Sequence, residues 1–152
     1  MRLAGGRGFT LIEVLIVVVI MAVLAALVIP RLTDTSNDAK QSTLSHSMHV
    51  MRSQIELYRA DHLTYPTIQD NDLPQLTYAT DGTGKTGTPG PDYPFGPYVV
   101  GGLPPNPFDS SCRVTAVATP GQKPTAVVGA LGGWQYDVTN GAVWPNHADY
   151  YR

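Results

Sequence analysis

An apolar run near the N terminus constrains this chain more than any other feature of its sequence. The run covers 21 residues, 9–29, and its only polar side chains are Thr10 and Glu13. A helix rises about 1.5 Å per residue, so a run of this length spans about 30 Å, which is the thickness of a bilayer core. The sequence therefore predicts a transmembrane helix over residues 9–29, followed by one small domain.

Basic residues lie on the N-terminal side of this run. Arg2 and Arg7 precede it, and short segments rich in Lys and Arg tend to stay in the cytoplasm. The predicted topology is a single pass, with the N terminus in the cytoplasm and the C-terminal domain outside it. A secretory signal peptide cut after Ala25 is the alternative, but the apolar run is longer than the apolar segment of a typical signal.

Glu13 is a carboxylate near the start of an otherwise apolar helix. A charged side chain at membrane depth costs roughly 2.5–3.5 kcal/mol even on lenient scales, so it usually marks a function and implies a partner. The alternative is a carboxylate that reaches water at the membrane interface and has no part in assembly.

The stretch Gly8-Phe9-Thr10-Leu11-Ile12-Glu13 resembles the class III signal of type IV pilins and type II secretion pseudopilins. The resemblance implies a prepilin leader over residues 1–8, cleavage between Gly8 and Phe9 by a prepilin peptidase, and N-methylation of Phe9. It also implies a self-assembling filament subunit. Cleavage would create an amine on Phe9 about one helical turn from Glu13, and the Glu13 carboxylate of one subunit would meet the Phe9 amine of the next.

Pro30 follows the apolar run, at a position where many members of this family also have a proline. Its ring removes one backbone donor, so we expect a kink or local melting there, or a helix that simply ends. After it, apolar side chains recur at spacings of four and three residues, which predicts an amphipathic stalk helix over residues 30–64. The residues of this stripe are Leu44, Met48, Met51, Ile55, Tyr58 and His62.

Residues 65–152 contain most of the prolines and glycines, which is typical of a loop-rich head with short strands. Asn140-Gly141 is a favoured hairpin pair and predicts that the last two strands are neighbours. The expected fold class is α+β, pilin-like: a long N-terminal helix, transmembrane and then amphipathic, packed on a small antiparallel sheet of three to four strands. The predicted strands are Arg113–Ala118, Thr125–Val128, Trp134–Asp137 and Ala142–Trp144.

The head also resembles the major (G-type) pseudopilins of type II secretion systems, through "YPT", "GPYV", "LPPNPF" and "GGWQYDVTNGAVWPN". Members of that family often bind calcium in a loop near the strands. The resemblance therefore implies a calcium site, for which Asp109, Ser110 and Asp137 are the candidate ligands. Ordinary turn capping by the same side chains is the alternative.

Other functional classes receive no support from the sequence. The histidines, the carboxylates and the lone cysteine form no triad or metal motif at a recognisable spacing, which predicts a protein that is not an enzyme and has no cofactor apart from the calcium considered above. The net charge is -2 and the Lys and Arg residues are not clustered, which excludes a nucleic-acid footprint. Cys112 has no partner for an intrachain disulfide, and we expect it to be buried.

The resemblance, together with these features, implies a structural subunit of a pilus-like helical filament, namely the major pseudopilin of a type II secretion system. It would reside in the bacterial inner membrane with a periplasmic head. Its partners would be further copies of the chain, the prepilin peptidase, the secretion machinery and minor pseudopilins. A type IV pilus subunit is the alternative within this class. A binding module anchored by one helix is the alternative of another class, and it predicts tolerance of Glu13→Leu.

Overall fold

The computed structural model describes residues 9–151, apart from the side chains of residues 27–35. The predicted leader 1–8 therefore lies outside the described residues. The chain forms two compact units, one up to Ala39 and one from Lys40 onward. The boundary between the two units falls inside the first helix.

Helix α1 extends over Leu11–His62 and contains 52 residues. It continues through Pro30, so the break or local melting expected there does not occur. A proline removes one helical hydrogen bond, and the turns on either side are formed here. Within the described residues, no helix combines the length and apolar character needed to cross a membrane.

In the second unit, α1 presents one apolar stripe to the core. Leu44, Met51, Ile55 and Tyr58 are buried, while Met48 and His62 are partly buried, as the periodicity predicted. The stripe and four side chains of the sheet form one core cluster. This cluster confirms the predicted packing of the helix on the sheet. Those side chains are Val114, Trp134, Tyr136 and Val143.

Short elements connect α1 to the sheet. Helix α2 covers Pro74–Thr77, and strands β1 (Ala79–Thr80) and β2 (Thr86–Gly87) pair antiparallel. The buried side chain of Gln75 joins this region, because it donates to the carbonyl of Gly84 at 2.8 Å and accepts from the backbone N–H of Thr67 at 2.6 Å.

The main sheet has three strands, β3 (Val114–Ala116), β4 (Trp134–Tyr136) and β5 (Val143–Pro145), in that order. β4 and β5 form the predicted antiparallel hairpin. β3 and β4 are parallel, so the expectation of an all-antiparallel sheet is wrong. The reason is the connection 117–133, which returns the chain to the starting end of β3 before β4 begins.

The β4–β5 loop is longer than the tight turn that Asn140-Gly141 suggested. The backbone N–H of Asp137 donates to the carbonyl of Ala142 at 2.9 Å, and the N–H of Gly141 donates to the carbonyl of Asp137 at 2.8 Å. Four residues, 138–141, thus lie between the paired ends. Gly141 has a φ of 73°, which glycine adopts without steric cost.

Thr125–Val128, predicted as a strand, forms no strand in the structure. Its backbone bonds to side chains instead: the N–H and the carbonyl of Val128 pair with the Asn146 amide, each at 2.8 Å, and the carbonyl of Ala126 accepts from Gln135 at 2.8 Å. The segment therefore covers the face of the sheet opposite α1. By strand register, Thr115, Gln135 and Trp144 lie on this outer face.

Both edges of the main sheet are occupied by other parts of the chain. On β3, the N–H of Val114 donates to the backbone carbonyl of Asn71 at 2.8 Å. On β5, the carbonyl of Val143 accepts from the Arg52 guanidinium at 2.7 Å, and Pro145 has no N–H. The hydroxyl of Tyr151, in the 3₁₀ helix Ala148–Tyr151, donates to the carbonyl of Pro145 at 2.8 Å.

Candidate functional site

The N-terminal end of α1 carries a reciprocal set of hydrogen bonds between Thr10 and Glu13. The Glu13 carboxylate accepts from the backbone N–H of Thr10 at 2.8 Å and from its hydroxyl at 2.7 Å. The N–H of Glu13 donates to the Thr10 hydroxyl at 3.3 Å. This arrangement is a capping box, in which two residues three apart satisfy each other's free backbone donors at the start of a helix.

Thr10 was not among the residues singled out from the sequence, although the spacing Thr-x-x-Glu carries the signal for it. Phe9 precedes the cap and its side chain is 88% exposed. The backbone N–H groups at a helix start favour a negative charge, so Glu13 is well placed there for electrostatic reasons as well. The cap therefore holds the Glu13 carboxylate against Thr10, the residue that follows Phe9. Gly8 lies outside the described residues, and so does the side chain of Pro30.

About four turns after the cap form an apolar surface that no other described part of the chain covers. Every described large apolar side chain from Leu11 to Leu24 is at least half exposed. Single exposed apolar residues are common on proteins, but a continuous apolar surface of this kind marks contact with a partner or a membrane.

Asp109 and Ser110 lie in the turn that follows Asn106. The two oxygens of Asp109 accept from the backbone N–H groups of Ser111, at 2.8 Å, and Gly133, at 2.9 Å. Ser110 has a φ of 59°, in the left-handed region. Asp109 therefore joins this turn to the start of β4.

Asp137 lies just beyond the other end of β4 and stabilises the β4–β5 loop. One oxygen accepts from the N–H of Thr139 at 2.9 Å and from its hydroxyl at 2.6 Å, and the other accepts from the N–H of Gly121. Burial acts to raise the pKa of Asp137, but the hydrogen bonds from Thr139 and Gly121 outweigh it and lower the pKa.

The structure does not bring the proposed calcium ligands together. Asp109 bonds to Gly133 and Asp137 follows Tyr136, so the two carboxylates lie at opposite ends of β4, about 13 Å apart along the strand. Oxygens that share one Ca²⁺ lie within about 5 Å of each other. In the described part of the chain, no group of three or more His, Cys, Asp or Glu side chains is arranged to hold a metal ion. The bonds observed are those of turn capping.

Cys112 is exposed, which corrects the expectation of burial. It lies in the segment that leads into β3 and is not yet part of the sheet, so the core does not cover it. His46 and His49 are exposed on α1. His62 is partly buried, with its ring 4.2 Å from that of Tyr58.

The N-terminal segment defines the class of the protein. Residues 5–29 match the family described as "Prokaryotic N-terminal methylation motif", which covers Gly8, Phe9, the cap and the apolar surface. No solved structure matches significantly.

Comparison with curated proteins identifies the particular family within this class. Type II secretion system core protein G of Klebsiella pneumoniae is 30% identical over 126 residues, which are 83% of this chain and 84% of that protein. The protein of the same name from Vibrio cholerae serotype O1 is 32% identical over 125 residues, 82% of this chain and 79% of that protein. The chain belongs to the family of type II secretion system core protein G, the major pseudopilins.

Other relatives align over a smaller part of the chain. The protein of this name from Klebsiella michiganensis is 36% identical over 69 residues, 45% of this chain. In that alignment the chain spans about half the length of the relative, 49%.

Proposed function

We propose that this protein is the structural subunit of a pseudopilus, the helical filament of a type II secretion system. Its role is assembly rather than catalysis. The observation that carries the proposal is the start of α1, where a capped carboxylate adjoins a continuous and uncovered apolar surface. The helix-to-helix contacts of a filament bury such a surface, and a head-to-tail arrangement permits open helical growth.

Before assembly the subunit is anchored in the bacterial inner membrane. Residues 9–29 form the transmembrane span, since 19 of these 21 residues are apolar or small. Arg2 and Arg7 keep the N terminus in the cytoplasm, and the head lies in the periplasm. The same apolar surface contacts lipid before assembly and neighbouring helices afterwards.

Glu13 sets the register of the filament. Prepilin peptidase cleaves between Gly8 and Phe9, and the new amine of Phe9 is N-methylated. The Glu13 carboxylate of one subunit then meets the Phe9 amine of the next. In an apolar bundle either charge is costly alone and tolerable as a pair, so subunits stack at the stagger that brings the two charges together. The other partners are the secretion machinery and minor pseudopilins.

Intact mass of the purified protein tests this proposal, with the chain expressed beside a prepilin peptidase. We expect the wild type to lack residues 1–8 and to carry one methyl group on Phe9. Gly8→Ala removes the residue at the cleavage site, so this variant should keep its leader. Gly6→Ala is the matched control and should be processed normally. An unprocessed wild type, or normal maturation of Gly8→Ala, would contradict the proposal.

A further inference from the structure

The β4–β5 loop contains a chemically labile pair of residues. Asn140 is the one asparagine in the sequence that glycine follows. Such a pair is prone to deamidation, because glycine has no side chain to hinder attack of its backbone nitrogen on the asparagine side chain. Asn140 is exposed, whereas Gly141 is buried. The carbon that would be attacked is thus open to water, and the nitrogen that would attack it is covered.

The loop depends on both residues of the pair. Oδ1 of Asn140 accepts from the backbone N–H of Ala142 at 3.0 Å, which is the pattern of an Asx turn. Gly141 has a φ of 73°, and a Cβ at this position would collide with the ring of Tyr65. Only glycine fits there without strain. The lability of the pair is therefore a consequence of the shape that the loop requires.

The closed loop also holds the attacking nitrogen. The N–H of Gly141 donates to the carbonyl of Asp137 at 2.8 Å. An amide nitrogen becomes a nucleophile only after a base from water removes its proton, and a buried, hydrogen-bonded N–H is withheld from that base until the loop opens. Asp137 is fixed in turn, because its carboxylate accepts from the N–H of Thr139 at 2.9 Å and from its hydroxyl at 2.6 Å.

We propose that Asn140 is a modification site, which the closed β4–β5 loop protects and which opening of the loop activates. In the open loop, the Gly141 nitrogen gives up its proton and attacks Cγ of Asn140. A bond forms between this nitrogen and Cγ, the bond from Cγ to the side-chain amide nitrogen breaks, and ammonia leaves with the proton. Water then adds to the cyclic imide and gives aspartate or isoaspartate at position 140. The reaction needs water alone and neither an oxidant nor a reductant.

The product changes the loop permanently. Isoaspartate lengthens the main chain by one carbon between Asp137 and Ala142, whose pairing closes the loop. Either product also adds a negative charge to the loop that already contains the Asp137 carboxylate. Each opening that leads to reaction is therefore recorded as a covalent change, which accumulates in heads whose loop opens often.

The rate of deamidation of the full-length wild type tests this protection. The protein is incubated in detergent in a mildly alkaline buffer, with or without guanidinium chloride at the same pH and temperature. Peptide mapping after digestion in acid then locates the change from amide to acid. Opening breaks the hydrogen bonds of Asn140 and Gly141, so we expect Asn140 to react at least about tenfold more slowly in the folded protein. Equal rates, or no reaction at Asn140 in the denatured chain, would overturn the proposal.

Thr139→Val tests whether this loop is the protecting element. The substitution removes the hydroxyl that donates to Asp137 and keeps the shape of the side chain. We expect Asn140 of the folded variant to react about threefold faster than in the wild type, or more. Thr88→Val is the matched control, because Thr88 is an exposed threonine outside the loop, and it should react at the wild-type rate. Tryptophan fluorescence verifies that each variant is folded.

In denaturant the wild type and both variants should react at one rate, since no loop remains to protect Asn140. If folded Thr139→Val reacts no faster than the wild type, the loop contacts do not control the reaction and the proposal is overturned. The comparison of folded with denatured wild type needs no variant, so it stands even if Thr139→Val does not fold.

Discussion

The carboxylate of Glu13 accepts two hydrogen bonds from Thr10, one from the backbone at 2.8 Å and one from the hydroxyl at 2.7 Å. A single chain therefore satisfies this carboxylate without help from a neighbour. In the proposed filament the same oxygens also face the amine of Phe9 from the next subunit. A carboxylate has lone pairs for both sets of contacts, so the cap can aim Glu13 while the charge pair joins the subunits.

Glu13→Leu should give a stable membrane protein that assembles poorly. The substitution removes both the cap and the charge, and it leaves the proposed Phe9 amine of the neighbour without a partner in an apolar bundle. The measurement is the yield of sheared filaments relative to the membrane-bound subunit, by immunoblot. Wild-type yield would contradict the assembly role and favour a binding module anchored by one helix.

Glu13→Gln separates the cap from the charge. Glutamine at this position can still accept from Thr10, as in capping boxes that use Gln, but it carries no charge. We expect its filament yield to fall nearly as far as that of Glu13→Leu. A yield close to wild type would show that the hydrogen-bonded cap, not the ion pair, is the feature that assembly needs.

Leu63→Gly should stabilise the second unit. Leu63 directly follows α1, has a φ of 59° and is 88% exposed, and its N–H donates to the carbonyl of Arg59 at 2.8 Å. A left-handed conformation costs an ordinary L-residue roughly 1–2 kcal/mol, and glycine is the preferred residue at such a helix end. After the entropy cost of glycine, we expect the free energy of unfolding to rise by about 0.5–1 kcal/mol.

Chemical denaturation followed by tryptophan fluorescence measures this change. Leu57→Gly is the matched control, because Leu57 is also exposed but lies inside α1. Glycine in a helix interior should lower the free energy of unfolding by about 1 kcal/mol. Changes of the same sign in the two variants would contradict the strain assigned to Leu63.

His62 should make the second unit less stable in mild acid. Burial lowers the pKa of His62 below its ordinary value of 6.5, although Asp61 and Asp81 act to raise it. The unfolded chain therefore takes up a proton at a higher pH than the folded chain does. The stabilising contribution of neutral His62 is fully present above pH 6.5 and is lost as the pH falls through its folded pKa.

Unfolding at a series of pH values between about 7 and 5 measures this effect. His62→Gln should give a flatter dependence, since glutamine does not titrate. His46→Gln replaces an exposed histidine of the same helix and should keep the wild-type dependence. A wild-type slope in His62→Gln would show that another group is responsible.

Removing calcium should leave the stability of the protein unchanged. Asp109 and Asp137 already accept backbone hydrogen bonds at the two ends of β4, and their separation prevents them from sharing one ion. We expect the same unfolding temperature in excess EDTA and in millimolar CaCl₂. A calcium-dependent rise that Asp109→Asn or Asp137→Asn abolishes would restore the calcium hypothesis for that carboxylate.

Local signals in the sequence were sufficient for the apolar stripe of α1. The stripe from Leu44 to Tyr58 was predictable because a helix repeats its contacts every 3.6 residues along one segment. Phe9 and Glu13 were singled out from one contiguous motif, and their roles in processing and assembly stay predictions. The role of Thr10 in capping the helix could have been predicted as well, because Thr-x-x-Glu is the spacing of a capping box.

Features that depend on distant parts of the chain were not predictable. The parallel pairing of β3 with β4 results from the path of residues 117–133, which no local pattern specifies. Thr125–Val128 has strand-forming residues, but the side chains of Gln135 and Asn146 take its backbone hydrogen bonds. The distance between Asp109 and Asp137 likewise follows from the position of β4 between them.

The contacts at the two edges of the main sheet affect how neighbouring heads can interact. Unpaired strand edges recruit other strands and lead to fibrous aggregates. Here Asn71 occupies one border, while Arg52, Pro145 and Tyr151 block the other. In the proposed filament, where heads are held at high local concentration along a shaft, these contacts disfavour cross-chain strand addition, so that growth follows the ordered polymer that the helices specify.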